Sequence, residues 1–261
     1  MATYNKRGYK SKTKPEKEEV EEFIDDSEST TAEVFGSLDE GANKAEEWFE
    51  KNQKPVIGVI IAILVIALLY LAYSKFVAEP ARAEAANELV VAQESFTTAL
   101  EATNTSVKDS LYMVALNGKN GKYGLLDVAD NYGGTPSGNL AHYYAGMSYL
   151  EIKDYQNAIT HLQDFSSDDK MLAPLAKGAI GDAFMQLGQA DEALDYYEKA
   201  AGMNANDFTT PRFLFKAGVA AIDLGKMDAA VKHLTRIKEE YATSEYASQV
   251  DLYLGRAQAA K

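Results

Sequence analysis

Residues 146–162 read GMSYLEIKDYQNAITHL, residues 181–197 read GDAFMQLGQADEALDYY, and residues 218–234 read GVAAIDLGKMDAAVKHL. Laid over one another, the three stretches share a leading glycine, an alanine 12 residues later and a bulky Leu or Tyr four residues beyond it. Gly146, Gly181 and Gly218 stand 35 and 37 residues apart, and Ala158, Ala193 and Ala230 repeat the same two intervals. A period of roughly 20 to 50 residues marks stacked units that share one continuous core. The spacing has a mechanical basis. A glycine or alanine at a crossing lets two antiparallel helices approach closely, and a large residue fills the gap beside it. Lys153 with Asp154, Gly188 and Gly225 supply the turn between the two helices of each unit.

The pattern resembles the tetratricopeptide repeat, a helix-turn-helix unit of about 34 residues, over residues 138–261. His142, Lys177 and Leu214 stand where that repeat has its signature Trp, and Ala221 replaces the aromatic kept at Tyr149 and Phe184. Ala200 keeps a later small position that Phe165 and Ile237 do not. Three repeats are expected over 138–243. Gly255, a further 37 residues beyond Gly218, makes residues 244–261 a capping helix that resembles the first half of a fourth unit. Upstream, Ala85, Leu89, Ala92, Phe96 and Leu100 follow helical spacing, so 80–137 reads as a degenerate opening repeat broken by a loop from Gly118 to Gly124.

In tetratricopeptide solenoids the first helix of each pair lines the concave face. The resemblance therefore assigns that lining to Tyr143, Met147 and Leu150, to Asp182 and Met185, and to Phe215, Val219 and Ile222. The Lys and Asn carboxylate clamp of some relatives is not supplied by Tyr143 with Met147, Gly178 with Asp182, or Phe215 with Val219. A mostly apolar, Met-containing lining suits capture of varied hydrophobic segments, because thioether and aromatic side chains adapt to their partner. The alternative is that these residues are core, with the groove filled by the opening helix or by the cap.

Val56 to Tyr73 reads VIGVIIAILVIALLYLAY, 18 residues without a charge. As a helix it is about 27 Å long, close to a hydrocarbon core of roughly 30 Å, and a transmembrane helix is expected over 55–76 with Pro55 in its first turn. Trp48 and Phe49 before it, and Tyr70 and Tyr73 at its far end, are placed to meet the lipid headgroups. Residues 30–53 read as an amphipathic juxtamembrane helix opened by Thr30 and Glu33 at capping-box spacing, with Val34, Leu38, Ala45 and Trp48 recurring at helical intervals. Residues 1–29, rich in Lys and Glu, are expected to be disordered. Lys6, Arg7, Lys10, Lys12, Lys14 and Lys17 favour a cytoplasmic N-terminus, with the C-terminal domain exported. The fold class is thus all-α: a single transmembrane helix followed by an α-solenoid.

Lys and Arg number 26 against 39 Asp and Glu, a net charge of −13, which opposes nucleic-acid binding. The absence of Cys removes disulfides, thiolate metal sites and Cys nucleophiles, and His142, His161 and His233 are the only histidines. No Ser-His-Asp arrangement, metal-ligand spacing or phosphate-cradling loop stands out, so no enzyme, cofactor or metal is expected.

Tail, single span and repeat module in this order are similar to the YfgM-type family of inner-membrane tetratricopeptide proteins. That resemblance implies an ancillary subunit of the SecYEG translocon, associated with a periplasmic prolyl isomerase, that meets emerging unfolded envelope polypeptides as a chaperone or adaptor. The other class in view is a structural scaffold of an envelope secretion or outer-membrane biogenesis machine that binds no client.

Overall fold

A computed structural model describes the backbone of residues 30–260 and the side chains from Gly41 onward, Lys44 excepted. The tail at 1–29 with its basic arm, and the Thr30, Glu33, Val34 and Leu38 side chains, lie outside the described residues. The chain divides into two compact units, Met1–Leu69 and Tyr70–Lys261.

Helix α1 (Thr30–Tyr73) provides the described part of the first unit, and Pro55 lies in its interior. The expected juxtamembrane helix and span follow one another as one continuous helix, and Pro55, expected in the first turn of the span, lies inside it. Proline removes one donor and crowds the carbonyl four residues back, here that of Lys51. Lys51 and Pro55 are both on exposed surface, so the orphaned carbonyl is open to water and a long helix tolerates the loss. Every side chain from Ile57 to Tyr73 is exposed. Among the described residues none of this run is buried, and the helix is long and apolar enough to cross a membrane.

The second unit is helical apart from its turns. Among its described residues the only strand-like pairing is a bridge between Lys119 and Lys122, inside the loop expected at 118–124. After α1 the helix widens to π geometry over Ser74–Ala78, with the Glu79 N–H bonded to the Ser74 carbonyl, and then continues as α2 (Glu79–Glu101). Pro80 explains the shift: its ring and missing N–H are incompatible with an ordinary helical bond to residue 76, and a wider turn carries the chain past it. α3 (Thr105–Asn117) returns along α2, and the short α4 (Leu125–Tyr132) closes this opening module. Three hairpins follow: α5 (Pro136–Glu151) with α6 (Tyr155–Asp164), α7 (Leu172–Gln186) with α8 (Ala190–Gly202), and α9 (Thr209–Asp223) with α10 (Met227–Glu240). α11 (Ala247–Ala259) ends the stack, starting three residues later than expected because Ser244 to Tyr246 form a turn.

The repeat recurs in its backbone chemistry. Oxygens of Thr135, Asp169 and Asn206, spaced 34 and 37 residues apart, accept from the N–H of the residue three positions on, Gly138, Leu172 and Thr209, at 3.1, 2.8 and 2.7 Å. Each satisfies an orphan donor at the start of the first helix of a hairpin. The turn between the two helices is left-handed at one register position, with φ of 65° at Lys153, 75° at Gly188 and 71° at Gly225.

Candidate interaction groove

The repeated glycines set how closely the two helices of a hairpin pack. A Cβ added to Gly146 would lie 2.5 Å from Cγ of Leu162 and 3.1 Å from the carbonyl of Ala158; at Gly181 it would lie 2.7 Å from the Tyr197 ring and 3.2 Å from the carbonyl of Ala193. At Gly218 it would meet Leu234 at 2.9 Å. Ala158, Ala193 and Ala230 are fully buried. Gly255, expected in the same role, has nothing within 4 Å among the described residues. Its expected packing role is therefore corrected: among the described residues no side chain or backbone lies against it. Gly178 was not singled out by the repeat, yet the Phe213 ring of the next unit fills the space a side chain would need.

With the hairpins packed this closely, their first helices α5, α7 and α9 follow one another and leave a depression of about 430 Å³. Leu150 of α5 and Met185 of α7 supply its apolar wall, and Asp182 and Lys216 its floor. Lys216 Nζ lies 2.5 and 2.7 Å from the two oxygens of Asp182, and the Tyr197 hydroxyl donates to Asp182 Oδ1 at 2.7 Å. Burial, then the negative charge of Asp182 and the hydrogen bond to it, push the Tyr197 phenol well above its ordinary range, so it stays a proton donor. The carboxylate thus spends its charge within the chain, tying α7 to α8 and α9.

The eight expected lining residues fall into three groups. Met147, Leu150, Asp182, Met185 and Val219 are half-buried along the first helices. Tyr143 packs on Phe165 and Phe215 on Tyr253, with ring centroids 5.2 and 5.1 Å apart. Because Tyr253 belongs to α11, the cap covers this end of the face. Ile222 is only 6 % exposed and belongs to the core around α9 and α10, which corrects its assignment to the groove: it lies one turn past Val219, on the inner side of α9. The centre of the depression is also polar where an apolar lining was expected. Lys216 and Tyr197 were missed, although Lys216, with Arg212, is one of only two charged side chains in α9 before Asp223 and so stood out in an otherwise apolar helix.

The histidines follow packing. His142 and His161 face each other across the α5–α6 hairpin with their Nδ1 atoms 3.2 Å apart, and His161 stacks on Tyr149. Burial, with the charge of His142, lowers the His161 pKa. His233 is buried and bonded to Glu198 at 2.8 Å. The described residues hold no group of three His, Asp or Glu side chains close enough to share a metal ion. Asp169 accepts from the N–H groups of Leu172 and Met171, which lower its pKa.

At the other end of the chain Trp48, Phe49, Tyr70 and Tyr73 are all exposed, at 60, 47, 68 and 60 %, as side chains that meet a lipid interface must be.

Two tetratricopeptide repeat families match the chain, one over residues 140–169 and the other over residues 178–245. The chain contains tetratricopeptide repeats, which are protein-interaction modules. No curated protein and no solved structure matches it.

Proposed function

We propose that this is a membrane-anchored tetratricopeptide protein that presents a client-binding face outside the inner membrane, as an ancillary subunit of the SecYEG translocon acting beside a periplasmic prolyl isomerase. One observation carries the reading: the first helices of successive repeats leave Leu150 and Met185 half-buried at a depression that also holds a satisfied ion pair, with Met147 and Val219 half-buried elsewhere along the same helices. Met147, Leu150 and Met185 pack on the core beneath them with part of each side chain left open, and such adaptable side chains suit a surface that meets varied apolar segments. The face binds extended or helical hydrophobic stretches of unfolded envelope polypeptides.

The proposal extends to position. Residues 55–76 span the bilayer, the basic arm holds the N-terminus in the cytoplasm, and the repeat module at 138–243 with its opening repeat at 80–137 and cap at 244–261 lies in the periplasm. Trp48, Phe49, Tyr70 and Tyr73 anchor the span at its two interfaces. Tethering beside the channel raises the effective concentration of the face where polypeptides emerge, so a weak site is sufficient.

A second reading, a scaffold that binds no client, draws on the cover that α11 lays over Phe215 and on the internal use of Asp182. The two separate in one experiment. The full-length chain in lipid nanodiscs is titrated with a reduced, unfolded secretory polypeptide, and the titration is repeated with Met147→Asp and Met185→Asp. The client reading predicts saturable binding that weakens at least about tenfold in both variants, the loss of roughly 1.4 kcal/mol. Binding unchanged in folded variants, or absent from the parent, favours the scaffold.

A further inference from the structure

A second concavity, of about 280 Å³, opens within the second unit where the apolar run ends, between the start of α2 and the turn after α4. Tyr73, Val77 and Ala81 form its apolar side, Arg82 comes next along the helix, and Asn131 and Thr135 belong to the opposite wall. The apolar side continues the run itself, for Tyr73, Phe76 and Val77 are all exposed. Lys75 and Arg82 are the only cations between Lys54 and Lys108. Lys75 is paired with Glu79 at 3.0 Å, whereas the Arg82 side chain has no ion pair or hydrogen bond among the described residues. The wall opposite accepts hydrogen bonds more than it donates them. The Asn131 amide donates to the Asp127 carbonyl and the Thr135 hydroxyl to the Tyr132 carbonyl, each at 2.8 Å, which leaves the Asn131 side-chain oxygen and the carbonyl end of α4 as acceptors. Glu84, beside Tyr132, adds a negative charge nearby.

We propose that this concavity seats one phospholipid of the bilayer that residues 55–76 span, with the lipid's phosphodiester on Arg82 and a primary ammonium of its headgroup on the acceptors of Asn131 and the end of α4. The proposal rests on the membrane reading given above. Height fits. Arg82 follows the end of the span by six residues, about 9 Å along a helix, and helical side chains lean toward the N-terminus, here back toward the bilayer. A headgroup layer is roughly 5 to 7 Å thick, so the long Arg82 side chain reaches the level of the phosphates. Order fits too: apolar surface, then a cation, then acceptors is the sequence of acyl ester, phosphate and ammonium in such a lipid. A guanidinium holds a phosphate through two N–H groups at once. A headgroup without an ammonium leaves the acceptor wall unsatisfied, and a trimethylated one has no N–H to give.

The test uses the full-length chain in nanodiscs of phosphatidylethanolamine, phosphatidylcholine and phosphatidylglycerol in equal amounts, followed by native mass spectrometry of the released protein. Phosphatidylethanolamine should be retained several-fold more often than either of the others. Arg82→Gln should abolish that preference and Arg82→Lys keep most of it, while Lys75→Gln, outside the concavity, should leave it unchanged. Gly134→Leu should abolish it by filling the space, since a side chain there meets nothing within 4 Å and the fold is undisturbed. Soluble glycerophosphoethanolamine in excess should not displace the lipid. Retention indifferent to headgroup, a preference for the anionic lipid, a preference that survives both Arg82→Gln and Gly134→Leu, or displacement by the soluble headgroup overturns the proposal. Failure of the membrane reading shows separately, as a chain that does not enter the nanodiscs.

Discussion

Lys153 holds φ at 65° where the two later repeats have Gly188 and Gly225. A side chain in that left-handed conformation costs about 1 kcal/mol, so Lys153→Gly should raise the thermal midpoint of the repeat module, by up to about 1 kcal/mol in stability, measured by denaturant or heat. The glycines divide in the same way. Gly178→Ala drives a methyl into the Phe213 ring and should destabilise by about 1–3 kcal/mol, whereas Gly255→Ala has open space and should stabilise α11 by up to about 1 kcal/mol through helix propensity. Protonation adds a pH dependence. His161 has its pKa lowered by burial and by His142, so the unfolded chain takes up its proton first as pH falls. Stability tied to this residue is complete above about pH 6.5 and is lost as pH drops through the lowered folded value. The fall in thermal midpoint between pH 7.5 and 5 should be smaller in His142→Leu than in the parent; an identical fall would mean the pair contributes nothing. Residue spacing disclosed which glycines and alanines repeat. It did not disclose the His142–His161 and Asp182–Lys216 pairs, because their partners lie 19 and 34 positions apart and no periodic signal links them.

At the scale of elements, the hairpins were legible because hydrophobic period, turn and cap all repeat at one interval. Asn206 shows how local the specification is: its side-chain oxygen accepts from the N–H groups of Phe208 and Thr209 and its amide donates to Thr209 Oγ1. Asn206→Ala should cost about 1 kcal/mol and loosen the start of α9, seen as faster amide exchange there. What the sequence hid were the ends of elements. Pro55 reads as a helix start, yet an exposed helix carries it internally; Pro80 is passed by a π turn, so α2 follows α1 without a loop. Both outcomes depend on whether neighbouring backbone groups find other partners, which residue identity alone does not tell. The lining of the groove was only partly legible for a related reason. Helical spacing finds the side on which Ile222 and Val219 both fall, but the closeness of α9 to its neighbours decides that one is core and the other half-open.

On the scale of the whole molecule, the proposed function gives an apolar helix exposed from Ile57 to Tyr73 the part of a tether and a stack of helical hairpins that of a surface that meets other proteins. The central claim is that this surface is the side where α5, α7 and α9 leave Met147 and Met185 half-open, and not the outer side of the second helices. A photo-cross-linking amino acid placed at Met185, and in a separate strain at the exposed Glu192 of α8, tests it in living cells during secretion. The account predicts ultraviolet-dependent adducts with newly exported polypeptides at position 185 and none above background at 192. Equal adducts at both positions, or none at 185, would contradict it.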